Sequence, residues 1–163
     1  MRSISANYPE VPLLYSIPGD LQHNSKIEII GQMLHRNRFR VDLKTGSKVP
    51  VGIHDDTNDD VIFHLSIRPF CNEIVRNHMT QGRWGHEERE GGCPIQYGSQ
   101  FNMLILIEDD KFKVTINNLQ FCEFKHRLRL SLAKFLYISG EVKIHFIKIR
   151  NDSYDDTRSA RTI

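Results

Sequence analysis

Three short groups of residues have the types and spacing to grip a polyhydroxylated ligand. His64, Ser66 and Arg68 stand two apart in a stretch of alternating polarity, so on a strand they share one face while Phe63, Leu65 and Ile67 share the other. That row offers a ring nitrogen, a hydroxyl and a rigid fork of donors. Asn77 follows, with a donor and an acceptor on one amide, which suits a hydroxyl that is both. Then comes the one tryptophan of the chain, Trp84, set among Arg83, Gly85, His86 and Glu87. A tryptophan with such neighbours reads as an exposed platform. The apolar face of a pyranose ring can stack on an indole while its hydroxyls stay paired at the rim. Gly85 reads as the residue that lets the backbone turn beside it, and Glu87 and Arg89 as a pair on one strand face. Taken singly, His64, Asn77, Glu87 and Arg89 would read as ordinary surface residues and Trp84 as a core residue; their order and spacing give them weight.

The elements that must carry these groups are strands. Phe39, Val41 and Leu43 alternate with Arg38, Arg40, Asp42 and Lys44; Val61, Phe63, Leu65 and Ile67 alternate along the polar row; Phe112, Val114 and Ile116, and Val142, Ile144 and Phe146, repeat the pattern. Period-two alternation marks antiparallel strands with one face on a core and one on water. Turn signals such as Pro18-Gly19-Asp20, Asp55 to Asp60, Tyr97-Gly98-Ser99, Asn117-Asn118 and Ser139-Gly140 separate the runs. Many short strands with regular turns predict an all-β sandwich or barrel. The one helical candidate is a turn around Ser131 to Phe135. Compact structure is expected over 8–150, with 1–7 as an N-terminal tail and the polar segment 151–163 as a C-terminal tail or linker.

Composition narrows the function. The chain has 163 residues, enough for one domain with a core that needs no metal or disulfide. A net charge of +2 from 22 basic and 20 acidic residues argues against a nucleic-acid binder. The mean hydropathy of −0.43 and the shortness of every apolar run argue against membrane insertion. Cys71, Cys93 and Cys122 are odd in number and form no CxxC pair, which predicts reduced thiols. Residues 1–5 carry no apolar signal-peptide core. Cytoplasmic residence is the resulting expectation.

Two chemistries are disfavoured. Glu87 and Glu88 sit near a tryptophan, as in a glycosidase, but consecutive strand residues point to opposite faces and cannot flank one bond. Glu87 reads as an ionised carboxylate tied to arginine, suited to binding. His64, His78 and His86 match no common zinc spacing. No enzyme, no metal site and no cofactor are expected.

The motifs resemble those of the galectins. That family's signature is His-x-Asn-x-Arg, Val-x-Asn and Trp-Gly-x-Glu-x-Arg; here it reads His64-Leu65-Ser66-Ile67-Arg68, Val75-Arg76-Asn77 and Trp84-Gly85-His86-Glu87-Glu88-Arg89. Likeness extends from Ile17-Pro18-Gly19-Asp20-Leu21 through Phe112 to Asn117 and Phe124-Lys125-His126-Arg127 to Ile138-Ser139-Gly140-Glu141-Val142. The resemblance implies a jelly-roll β-sandwich of two antiparallel sheets, with a β-galactoside bound on the concave sheet without metal. It implies that His64 and Arg68 meet the axial 4-hydroxyl of galactose, Asn77 and Glu87 the 6-hydroxyl, Trp84 the apolar ring face, and Arg89 the neighbouring sugar while pairing with Glu87.

Ser66 departs from the signature, standing where the family has Asn. A shorter side chain predicts a contact through water or a gap, and weaker binding by roughly 1 kcal/mol. The connection from Arg68 to Asn77 also looks short, and in the family it borders the second-sugar subsite. Arg38, Arg40 and Asp42 form a polar face that could extend the groove. The alternative function is a galectin-like protein-interaction domain with little galactoside affinity. Partners implied by the resemblance are galactose-bearing glycans and glycoproteins, with a second galectin domain in the same chain or a homo-oligomer as further possibilities. Family members also leave cells by a route that uses no signal peptide.

Overall fold

The alternating runs become strands of two layers. A computed structural model describes residues 2–50 and 58–151. Its strands are β1 (Arg2–Asn7), β2 (Leu13–Ser16), β3 (Lys26–Met33), β4 (Phe39–Lys44), β5 (Val61–Arg68), β6 (Glu73–Thr80), β7 (Arg83–Trp84), β8 (Gln100–Ile107), β9 (Lys111–Ile116), β10 (Leu119–Lys125), β11 (Phe135–Gly140) and β12 (Val142–Asn151). They form two six-stranded antiparallel sheets, ordered β1-β12-β3-β8-β9-β10 and β2-β11-β4-β5-β6-β7. The chain is a β-sandwich, as its alternation predicts.

The core lies between the sheets and takes one face of each. Val41, Leu43, Phe63, Leu65 and Ile67 from the second sheet meet Ile27, Ile29, Met103, Ile105, Phe112 and Val114 from the first. At its centre Phe63 stacks on Phe112 with centroids 4.4 Å apart and packs against Phe124 at 4.9 Å. Each buried phenyl contributes about 2 kcal/mol. With that face committed to the core, residues 40, 42, 64 and 66 must face outward.

Asn117 and Asn118 join β9 to β10, both with positive φ, as a two-residue hairpin turn requires. Gln81 and Gly82 do the same between β6 and β7. That second turn folds the two-residue strand bearing Trp84 back on β6, with Met79 opposite Trp84.

Four expectations need correction. Residues 2–7, read as a tail, form β1 and pair along β12 from Arg2–Asn151 to Asn7–Phe146. Asn151, assigned to the C-terminal tail, closes β12: its amide donates to the carbonyls of Pro18 (2.7 Å) and Asp20 (2.6 Å) and accepts from Ser25 Oγ at 2.6 Å. The rest of that tail, 152–163, and the start of the Asp55–Asp60 turn lie outside the described residues. Phe146 leaves the core row because a bulge between Ile144 and Phe146 shifts the alternation, so Ile147 and Ile149 are buried instead. The helical turn is a 3₁₀ turn at Leu130–Leu132, and Phe135 begins β11.

Candidate functional site

The register of the second sheet assembles the site row by row. Tyr137, Asp42, His64 and Asn77 stand opposite one another across β11, β4, β5 and β6. One step along, Ser139, Arg40, Ser66 and Val75 form a parallel row, and Arg68 faces Glu73 in the next. These rows border an open cavity of about 380 Å³ lined by Arg38, Arg40, His64, Ser66, Arg68, Asn77, Trp84 and Glu87, among others. Every candidate residue except Asp42 and Arg89 therefore reaches one concavity.

The bottom row is fixed by hydrogen bonds. Asp42 is fully buried, with one carboxylate oxygen 2.6 Å from His64 Nδ1 and the other bound by Arg40. Burial alone would raise the Asp42 pKa, but the facing His64 and Arg40 outweigh it and hold the carboxyl below its ordinary range. An ionised carboxylate only accepts, so His64 carries a proton on Nδ1, and in the neutral ring Nε2 is left as an acceptor on a residue that lines the cavity. Asp42 corrects an expectation: with no exposed surface it extends no groove and acts beneath His64 and Arg40.

Asn77 is 2% exposed, and its amide is nearly saturated. Its Oδ1 accepts from the backbone N–H of His78 (2.8 Å) and from Arg127 Nη1 (3.1 Å), and its Nδ2 donates to the Gly85 carbonyl (2.9 Å). One N–H remains for a ligand. Arg127, on the segment after β10 of the opposite sheet, also places Nη1 2.9 Å from His78 Nδ1 and Nη2 2.8 Å from Glu88. Arginine only donates, so His78 accepts through Nδ1, and burial followed by the Arg127 charge lowers the His78 pKa. The sequence places Arg127 in a likeness to the family but gives it no role; no local pattern signals a residue that arrives from the other sheet.

Trp84 is 44% exposed. Its ring tilts on His64 at 47° with centroids 4.5 Å apart, and the Arg40 guanidinium lies 5.9 Å from its centroid. Gly85 has a different cause from the sharp turn read in the sequence. It has no left-handed φ; a Cβ there would lie 2.2 Å from the His78 ring, so close packing excludes a side chain.

Ser66 is 3% exposed, and its hydroxyl accepts from Arg68 Nε at 2.9 Å. It thus aims Arg68 and presents little surface of its own. Arg89 donates to Glu73 Oε2 at 2.9 Å and pairs with Glu87, outside the cavity lining. Glu88 faces away to Arg127, so the two adjacent glutamates do not converge. The cause is not strand alternation, because β7 ends at Trp84 and only the isolated Arg76–Glu88 bridge follows; Glu87 and Arg89, read as a pair on one strand face, pair from an irregular segment. Among the described residues no group of three or more His, Cys, Asp or Glu side chains could hold a metal ion, and no helix is long and apolar enough to cross a membrane. An array of fixed donors and acceptors beside an open indole can bind a sugar.

Comparisons with known proteins identify the family and the fold. Residues 12–149 match the family model described as galactoside-binding lectin. Human galectin-7 is 31% identical over 140 residues, covering 85% of this chain and 97% of that protein. Galectin-4 of Bos taurus is 30% identical over 141 residues, 85% of this chain, which spans only 40% of that longer relative. Among solved structures, the Caenorhabditis elegans galectin LEC-6 superposes with a TM-score of 0.78 at 17% identity, covering 90% of this chain and 96% of that one. A human galectin-16 variant superposes with a TM-score of 0.78 at 20% identity, covering 90% and 100%. At such identities the two structures speak for the fold alone.

Proposed function

The chain belongs to the galactoside-binding lectin family, and from that premise we propose that it binds lactose- and N-acetyllactosamine-type glycans on the concave outer face of its second sheet. His64 Nε2 and Arg68 take the axial 4-hydroxyl of galactose. The free Asn77 N–H and the Glu87 carboxylate take the 6-hydroxyl. Trp84 carries the apolar face of the ring. Arg89 holds Glu87 in place and borders the neighbouring sugar.

The observation that carries this reading is the half-exposed indole of Trp84 beside side chains whose orientations are already set by other residues. A site pre-ordered in this way loses less conformational entropy on binding. The reading involves no bond cleavage: Glu87 is paired with Arg89 and Glu88 with Arg127, so the two carboxylates are held by separate partners and do not flank one bond. Ser66 makes the affinity weak, because its hydroxyl serves Arg68 and little of it meets solvent. Cytoplasmic residence belongs to the same proposal and is supported by the free cysteines among the described residues.

A glycan array probed with and without excess free lactose tests the function. The proposal requires binding to galactose-terminated glycans that lactose displaces. Absence of any galactoside binding would favour a protein-interaction role for the same fold.

A further inference from the structure

The outer face of the first sheet, on the far side of the sandwich from the galactoside cavity, carries a second and smaller concavity. It holds about 130 Å³ and is lined by Lys26 and Glu28 of β3, Leu104 of β8, and Lys148 and Arg150 of β12. Strand alternation puts these residues outside, because Ile27, Ile29, Met103, Ile105, Ile147 and Ile149 take the inner face. The register then sets charge against charge: Arg150 stands directly opposite Lys26, and Lys148 opposite Glu28. Like charges placed opposite each other on a sheet are destabilising. None of these charged groups forms an ion pair among the described residues.

The concavity is rich in donors and short of acceptors. Lysine and arginine only donate, and Glu28 is the one acidic residue in the lining. The Nε of Arg150 is buried and has no hydrogen-bond partner among the described residues. A buried guanidinium N–H ordinarily has an acceptor. The geometry points to a binding site for a compact oxyanion, a sulfate or phosphate group, held by Arg150, Lys26 and Lys148. Such a group brings the missing negative charge and several acceptor oxygens together. Two of its oxygens match the guanidinium fork, of which Nε is one donor, and the ammonium groups serve the others. None of the five lining residues borders the galactoside cavity. The two ligands therefore occupy opposite faces of the sandwich and do not compete.

The test is a proton–nitrogen NMR titration of the full chain with sodium sulfate, sodium phosphate and phenyl phosphate, each against sodium chloride at matched ionic strength. The inorganic salts supply the free ion and phenyl phosphate the esterified group, so the arms show which source the site takes. The backbone amides of Lys26, Lys148 and Arg150 and the side-chain Nε–H of Arg150 should shift saturably with the oxyanions and not with chloride. Arg150→Gln should weaken the binding about tenfold, the worth of one charge-assisted contact. Glu28→Gln should tighten it, because the one opposing charge is gone. The amides of His64, Arg68 and Trp84, and the affinity for lactose, should not change in either variant. Equal shifts with chloride, a response that never saturates, or binding unchanged in Arg150→Gln overturns the site and leaves the galactoside reading intact.

Discussion

Asp42 Oδ1 lies 2.6 Å from His64 Nδ1 at the floor of the cavity, on a carboxylate with no exposed surface. The relationship commits Nδ1 of His64 to Asp42, and under the proposed function leaves Nε2 for the ligand. Asp42→Asn removes the charge with little change of shape. It leaves Arg40 without its buried carboxylate partner and frees His64 to adopt the other tautomer. Loss of one partner from a buried charge pair costs about 3 kcal/mol, so thermal unfolding should move down clearly, and lactose affinity should fall with it. Equal affinity in the variant would mean that His64 does not read the 4-hydroxyl.

The same carboxylate gives a dependence on acid. Its pKa in the folded chain lies below the ordinary value of 3.8, so the unfolded chain binds more protons in that range. Its contribution to stability is complete above about pH 4 and is lost as the pH falls through the lowered value. In Asp42→Asn the acid limb of the stability profile should be shallower below pH 4.

His78 behaves similarly in a milder range. Its Nδ1 accepts from Arg127, and its pKa is lowered from 6.5. Stability from a neutral His78 is complete above pH 6.5 and declines as the pH falls through the lowered value, when protonation opposes Arg127. Unfolding temperature should therefore drop between pH 7 and pH 5 more steeply in the parent than in His78→Gln. Identical slopes would place the pH response elsewhere.

These relationships also mark what the sequence made legible. The polar row His64, Ser66, Arg68 and the platform Trp84 could be read because each depends on strand alternation or on immediate neighbours. The burial of Asp42 could not: it arises from Tyr137 and His64, brought to either side by strands far apart in the chain. Arg127 was hidden for the same reason, crossing from one sheet to the other to reach Asn77. β1 was missed because Arg2–Asn7 is mostly polar and half-exposed, and its order comes from backbone pairing with β12.

Ser66→Asn restores the amide that the family signature carries. The longer side chain should reach the cavity and tighten lactose binding by roughly 1 kcal/mol, about fivefold in Kd. Calorimetry on both proteins decides this, and weaker binding in the variant would show that the serine is matched to its surroundings.

Trp84→Leu separates binding from folding. The indole is 44% exposed, so its removal should change stability by no more than about 0.5 kcal/mol. The lost stacking surface should cost about 2 kcal/mol of lactose affinity, near thirtyfold. A large fall in unfolding temperature would instead assign Trp84 a structural task.

The most direct measurement follows Trp84 fluorescence, the single tryptophan of the chain, during titration with lactose and with cellobiose. The two disaccharides differ only at the 4-hydroxyl of the terminal sugar, axial in one and equatorial in the other. A saturable change with lactose and none with cellobiose is the predicted result. No change with lactose, or equal changes with both, would contradict a site built by His64, Arg68 and Trp84 for galactose.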